Sequence, residues 1–493
     1  MTRAAELEVC IIGAGMSGLL MGIRLQQAGI RYRILEKADS VGGTWRENRY
    51  PGLSCDVPSF FYCYSFEPNP DWSHRFSPGP EIRAYFERVA EKYGLLEHIT
   101  FGQAVTAAHY EGGSWSVETD GGQTLHADVL VDATGPLHIK NVPPIPGLDR
   151  FEGECFHSAA WPDALTLEGR RIGVVGNGST GVQMMEPLSE VASELTLFQR
   201  TPQWVFPIGN RAYSERERRW TRRLPILGAA TRALYKWIFD LASVGVTEDG
   251  YWRKRMARGC REHLATVKDP ELRRKLTPDY EPGCKRLILS TSFYPTLAKP
   301  HVSLVTDAIE RVEPGGVVTC DGQLHELDVL VLATGFRPHE FGIAKVVGSQ
   351  GLSFAEAWEK GPRTYRSITM PGFPNYFMLV GPNSPIGNIS VIDVSETQTQ
   401  YILECIQRLA STNAKALAPK AEAAEAFQAS LRQAMEGTVW VTGCNSWYLD
   451  PNGVPTLWPW SAKRFHQVMR HPEWTDFELI DARAPSTTRS RSA

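Results

Sequence analysis

Two glycine patterns mark where this chain could do chemistry. Gly13-Ala14-Gly15-Met16-Ser17-Gly18 and Gly176-Asn177-Gly178-Ser179-Thr180-Gly181 both fit G-x-G-x-x-G. With 43 glycines in 493 residues, chance alone yields about 0.3 such matches per chain, so context must decide. Each pattern follows a short apolar run, 7–12 or 172–175, and opens a helical one. Backbone amides and a helix N-terminus can then face a pyrophosphate. Glu36 lies 36 − 13 = 23 positions after the first glycine, at the end of the next strand pattern, where a carboxylate accepts hydrogen bonds from a ribose diol. The same offset in the second pattern reaches Gln199, since 199 − 176 = 23, and Arg200 and Thr201 follow it. An acid there would repel a 2′-phosphate, whereas an arginine and a hydroxyl would bind one. Gly13, Gly15, Gly18 and Glu36 therefore suit FAD. Gly176, Gly178, Ser179, Thr180, Gly181, Arg200 and Thr201 suit NADP(H).

Other chemistries are excluded by what the residues lack. None of the nine cysteines forms C-x-x-C or C-x-x-x-x-C, which removes a disulfide reductase. Their odd number and unpatterned spacing point to a reducing compartment and a cytoplasmic location. No His/Cys cluster has metal-ligand spacing, so no metal is implied. A net charge of −3 leaves no basic excess for nucleic acid. No run of 18 apolar residues predicts a membrane span, and the first eight residues lack the layout of a signal peptide. Residues 222–246 mix basic and apolar types at helical spacing. That pattern predicts a helix packed on its own protein in preference to one lying on a membrane surface.

The elements that must position these residues follow from periodicity. Residues 7–36 read strand, turn, helix, strand, and residues 171–199 repeat the unit. Residues 128–135 (DVLVDATG) and 328–335 (DVLVLATG) are a second repeated pair, each a short strand ending in Ala-Thr-Gly. Residues 136–150 are rich in Pro and Gly and read as a connection, while the last ten residues read as a disordered tail. At 493 residues the chain needs more than one core. The expected fold is α/β, with two Rossmann-like dinucleotide-binding domains. FAD would occupy one built from 1–138 and 343–493. NADP would occupy 139–342, which carries a helical insertion at 205–283.

The stretch Phe151-Glu-Gly153-Glu-Cys-Phe-His157-Ser-Ala-Ala-Trp161-Pro162 resembles the F-x-G-x-x-x-H-x-x-x-W-P fingerprint of type I Baeyer–Villiger monooxygenases, of the class B flavin monooxygenase group. Residues 42–56, holding Gly42, Gly43, Thr44, Trp45, Tyr50, Pro51, Gly52 and Asp56, are similar to the family's G-G-x-W-x-x-x-x-Y-P-G-x-x-x-D signature. The resemblance runs on through Gln199-Arg200-Thr201-Pro202, Gly283-Cys284-Lys285-Arg286, Gly381-Pro382-Asn383-Ser384 and Asn445-Ser446-Trp447-Tyr448.

It implies an NADPH- and O2-dependent enzyme that inserts one oxygen beside a ketone carbonyl through a flavin peroxide, giving an ester or lactone. The alternative is an N- or S-oxygenating flavin-containing monooxygenase, in which Trp161-Pro162 and Arg286 are not expected. By the same resemblance Arg286 stabilises negative charge at the flavin and Asp56 orients it. Lys285 joins Arg200 and Thr201 at the 2′-phosphate, Gly43, Thr44 and Trp45 lie beside the flavin, and Trp447 closes over the nicotinamide. His157 reads as a hydrogen-bonding hinge more than as a base. The segment after Arg286, Leu-Ile-Leu-Ser-Thr-Ser-Phe-Tyr, departs from cyclic-ketone members, and its apolar character points to a hydrophobic ketone.

Overall fold

Two parallel five-stranded sheets organise the chain in this computed structural model, which describes residues 6–338, 345–387, 389–412 and 414–481. The expected tail and the domain boundary at 342/343 lie outside the described residues. In the first sheet the strand order is Tyr376–Met378, Val129–Asp132, Glu8–Ile12, Arg31–Glu36, Ile99–Phe101. In the second it is Glu154–His157, Val329–Leu332, Arg171–Val175, Glu194–Phe198, Val302–Val305. The two orders are the same. In each, the strand before the glycine loop sits centrally, between the strand of the Ala-Thr-Gly turn and the second strand of the βαβ unit. Val9, Ile11, Ile172 and Val174 are fully buried, because helices and loops cover both faces of such sheets.

The fifth strands explain the discontinuous organisation. In the second sheet, Glu154–His157 comes from the linker fingerprint and pairs in parallel with Val329–Leu332. In the first, Tyr376–Met378 comes from the C-terminal part of the chain and pairs with Val129–Asp132. The Val391–Ser411 helix then packs on the Met16–Gln27 helix, where the hydroxyls of Ser17 and Ser395 meet at 2.8 Å. Each half also holds a small antiparallel meander just before its Ala-Thr-Gly strand: Val105–Glu111, Ser114–Thr119 and Thr124–Ala127 in one, Ile309–Glu313, Gly316–Thr319 and Leu324–Glu326 in the other.

The insertion is helical over Glu215–Arg223, Pro225–Thr247, Tyr251–Leu264 and Pro270–Lys275. Ser214 and Glu217 cap the first reciprocally, and Asp269 caps the last. A two-residue parallel ladder, Val205–Phe206 with Ile288–Leu289, closes its base. Residues 222–246 pack on their own protein as expected, through Tyr235, Phe239 and Val246, and they also leave an apolar side uncovered. Arg232 and Lys236 of the Pro225–Thr247 helix pair with the protein beside the packed Tyr235 and Phe239, while Ile226, Leu234 and Trp237 are exposed. No described helix is long and apolar enough to cross a membrane.

The reducing compartment read from the unpatterned cysteines does not foresee one disulfide. Cys284 and Cys444 form a disulfide, and the other seven cysteines are free. Its partners lie 160 positions apart, so no local spacing announces it.

Candidate active site

The first glycine loop is closed by its own backbone. Gly13 has φ +100, a region that favours glycine, and a Cβ there would lie 2.8 Å from the Ala133 carbonyl of the Ala-Thr-Gly turn. Gly15 and Gly43 face each other, so a Cβ on Gly43 would reach within 3.0 Å of Gly15 Cα. The short Thr44–Glu47 helix begins beside this contact. Glu36 is buried, and its carboxylate accepts the amides of Ala14 at 2.6 Å and Ala38 at 2.9 Å. The acid is thereby locked over the loop, with lone pairs left for a diol.

The second loop repeats the turn with different polar partners. Gly176 has φ +105, and its Cβ would lie 2.6 Å from the Ala333 carbonyl. Gly178, at the N-terminus of the Ser179–Val191 helix, has nothing within 4 Å of its would-be Cβ, leaving the approach that a pyrophosphate needs. Gln199, where Glu36 stood in the first half, is buried. It accepts the Asn177 amide at 2.7 Å and donates to the Lys275 carbonyl at 2.9 Å. Arg200 is exposed and near Lys285, whose Nζ lies 4.6 Å from the Tyr280 ring centre. Burial first, and then the Arg200 charge, lower the Lys285 pKa, with Asp279 opposing them. Two cations brought together suit a dianionic phosphate. Thr180, by contrast, serves the domain contact as well. It bonds the Tyr50 hydroxyl, which also donates to Gln183 at 2.8 Å.

Where the halves meet, Asp56 of one pairs with Arg286 of the other, 230 positions away. Arg286 donates from Nε to Asp56 Oδ2 at 2.9 Å and from Nη2 to the same oxygen. Both side chains are about three-quarters covered, with 29% and 24% exposure. The Asp56 carboxylate raises the Arg286 pKa, so the guanidinium stays charged. Nη1 is turned towards Gly387 and Tyr448: a Cβ on Gly387 would sit 3.3 Å from Nη1 and 2.8 Å from the Tyr448 hydroxyl. Tyr448 is buried, and burial pushes its phenol pKa up while Arg286 pulls it down. Trp447 packs on Tyr448 with ring centres 4.4 Å apart, and both line a cavity with Pro136, Val380, Ile386 and Leu457. The disulfide ties this loop, through Cys444, to the segment holding Lys285 and Arg286.

The flavin-binding monooxygenase-like family matches residues 6–223. The chain is 46% identical to an uncharacterized monooxygenase of Mycobacterium tuberculosis, over 98% of its own length and 99% of the relative's. It is 40% identical to a Baeyer–Villiger monooxygenase of Streptomyces coelicolor, over 99% and 95% of the two chains. The chain belongs to the flavin-binding monooxygenases. The crystal structure of OTEMO in complex with FAD and NADP superposes with a TM-score of 0.85 at 29% identity, covering 96% of this chain and 99% of that one. The monooxygenase thus has the α/β fold with two Rossmann-like sheets, and its cofactors are FAD and NADP(H).

Several side chains of the monooxygenase have partners that the sequence did not name. His157 is buried and takes the Ala159 amide on Nδ1 at 3.1 Å, so Nε2 bears the proton and donates to the Gly335 carbonyl at 2.9 Å. Burial lowers its pKa, so the neutral ring links the fingerprint strand to the second Ala-Thr-Gly turn. Trp45 donates from Nε1 to the Tyr62 hydroxyl at 3.1 Å. The apolar strip after Arg286 has a structural cause: Ile288, Phe293 and Tyr294 are buried in the core of the second half. The hydrophobic-ketone expectation drawn from that strip therefore loses its support. Tyr448 stands in the Asn445–Tyr448 stretch of the resemblance but was given no role there, and the disulfide was not foreseen. Among the described residues no His/Cys/Asp/Glu group could hold a metal ion.

Proposed function

We propose that the monooxygenase oxidises ketones, placing one oxygen atom between the carbonyl carbon and a neighbouring carbon to give an ester or lactone. The balance is ketone + O2 + NADPH + H⁺ → ester + NADP⁺ + H2O. The observation that supports it most is the Asp56–Arg286 pair, held where the two domains meet and faced by Tyr448.

In this reading Gly13, Gly15, Gly18, Glu36, Gly43, Thr44 and Trp45 hold FAD, in a domain of residues 1–138 and 343–493. Gly176, Gly178, Ser179, Thr180, Gly181, Arg200, Thr201 and Lys285 hold NADP(H), in residues 139–342 with the insertion at 205–283. FAD, when bound and reduced by NADPH, supplies the activated oxygen. The chain supplies charge, orientation and dryness. Addition to a ketone carbonyl turns its oxygen into an oxyanion, and a guanidinium fixed beforehand stabilises that charge without reorganising. Asp56 holds Nε and Nη2, while the Nη1 side of the guanidinium is turned to Tyr448 and Gly387, so the charge is fixed from both sides beside the Trp447–Tyr448 loop. Trp447 and Tyr448 close the apolar cavity and keep water out. The reading places the enzyme in the cytoplasm, where NADPH is supplied and most thiols stay reduced, with the Cys284–Cys444 bridge as the exception beside seven free cysteines.

The test is turnover of a panel of ketones under ¹⁸O2 with NADPH, followed by mass spectrometry. One ¹⁸O per ester molecule is expected. Hydrogen peroxide equal to the NADPH consumed, with no ester from any ketone, sinks the proposal. Sulfoxide from a thioether without any ester would transfer the assignment to the N- or S-oxygenating branch.

A further inference from the structure

The Pro225–Thr247 helix is apolar on its outer side as well as on the side where Tyr235, Phe239 and Val246 pack on the protein. An ordinary surface helix buries its apolar stripe and exposes its charges. Here Arg232 and Lys236 face the protein together with Tyr235 and Phe239. Arg232 donates to the Cys63 carbonyl at 2.7 Å and pairs with Glu396 at 3.4 Å, and Lys236 pairs with Asp393 at 2.7 Å. Gly228 is buried against Phe60, so the helix backbone comes close on that side. The opposite side, at positions 226, 230, 233, 234, 237 and 238, carries only Ile, Ala, Leu and Trp. Ile226 is 74% exposed, Trp237 59% and Leu234 53%. Exposed Trp220, Leu224 and Tyr251 extend the apolar surface onto the helices that pack on either side.

Charge identifies what covers this surface. Residues 215–258 hold eleven Arg or Lys and five Asp or Glu, 11 − 5 = +6, in a chain whose net charge is −3. Exposed Arg219, Arg223, Lys254 and Arg255 lie on the two neighbouring helices, apart from the ion pairs that engage Arg218, Arg222 and Arg258. A second copy of the same face would bring like charges together. An anionic lipid surface meets both features. Its headgroups attract the basic residues, and its acyl boundary takes the leucine, isoleucine and tryptophan side chains to a shallow depth. The helix is not long and apolar enough to cross, so it would lie in the plane of the interface.

We propose that the helical insertion is a docking surface for anionic phospholipid bilayers, with the outer stripe of the Pro225–Thr247 helix seated at the headgroup boundary. The placement is independent of the nucleotide loops and of Arg286.

The experiment is sedimentation of the full-length, FAD-loaded enzyme with vesicles of phosphatidylcholine alone or with about one-third phosphatidylglycerol. Binding to the anionic vesicles is expected, at least about tenfold stronger than to the neutral ones and weakened by salt. The double variant Ile226→Asp/Trp237→Asp should lose that binding while keeping its FAD absorbance and melting temperature. Arg219→Glu/Arg223→Glu should abolish the preference for phosphatidylglycerol. No binding to either vesicle overturns the proposal, as does wild-type binding by the Asp variant. Light scattering that shows a dimer, split by the Asp variant with no vesicle binding, also overturns it and assigns the face to a second copy.

Discussion

Replacing Arg286 by alanine tests the ketone-oxidising reading most directly. The guanidinium is fixed by two donations to one Asp56 oxygen, and both partners are only about a quarter exposed. At an effective dielectric of about 20, a charge about 4 Å from a forming oxyanion contributes roughly 4 kcal/mol. Loss of a single preorganised oxyanion donor in other enzymes costs about 3–4 kcal/mol, or about 10²–10³ in rate. Water entering the vacated space recovers part of this, so ester formation by Arg286→Ala should fall about 100-fold. The fold should survive. Asp56 is left without its partner, a loss of roughly 1–3 kcal/mol for a pair intermediate between surface and buried. Arg286→Lys keeps the charge but cannot make the two parallel donations, so it should recover only part of the activity. The assay measures ester by gas chromatography, hydrogen peroxide by a coupled peroxidase, and NADPH by absorbance, after confirming FAD content. The expected outcome is little ester, with NADPH consumption diverted to peroxide. Ester formation within about threefold of wild type, in a folded and FAD-loaded Arg286→Ala, would refute the charge-stabilisation argument.

The two loop glycines of the second half should behave oppositely. Gly178→Ala meets open space and should melt like wild type with a raised KM for NADPH, whereas a Cβ on Gly181 would lie 2.0 Å from the Gly176 carbonyl and should impair folding of that half; calorimetry and initial rates separate them. Burial and Arg200 lower the Lys285 pKa, so the lysine loses its proton at lower pH than a free one. Only the protonated form attracts a 2′-phosphate, so NADPH affinity should fall as pH rises through that lowered pKa. The fall should be absent in Lys285→Met, and a profile identical in both would exclude Lys285 from the phosphate site. Thiol titration of the unfolded chain should count seven groups before reduction and nine after. Cys444→Ser should lower stability by about 2–4 kcal/mol and reduce kcat/KM by loosening the loop that holds Trp447 and Tyr448. Unchanged melting would show the bridge to be dispensable.

Short-range features of this monooxygenase were legible in its residues. The glycine loops, the strands before them and Glu36 obey steric and periodic rules confined to about thirty neighbouring positions, so one unit could be recognised and then found again at 171–199. The offset that exchanges Glu36 for Gln199 was legible for the same reason. Only the tertiary structure decided what depends on distant partners. Asp56 meets Arg286 across 230 positions and Cys284 meets Cys444 across 160, and no period or spacing encodes either encounter. The fifth strand of each sheet is recruited from outside its βαβ unit. Residues 288–294 look like a pocket strip, yet Ile288, Phe293 and Tyr294 fill a core. The 225–247 segment shows most plainly why. Its periodicity announces an amphipathic helix, but which side faces the protein depends on partners far away in sequence: Glu396 and Asp393 pair with Arg232 and Lys236, Phe61 packs on Phe239, and a second apolar side is left to the solvent.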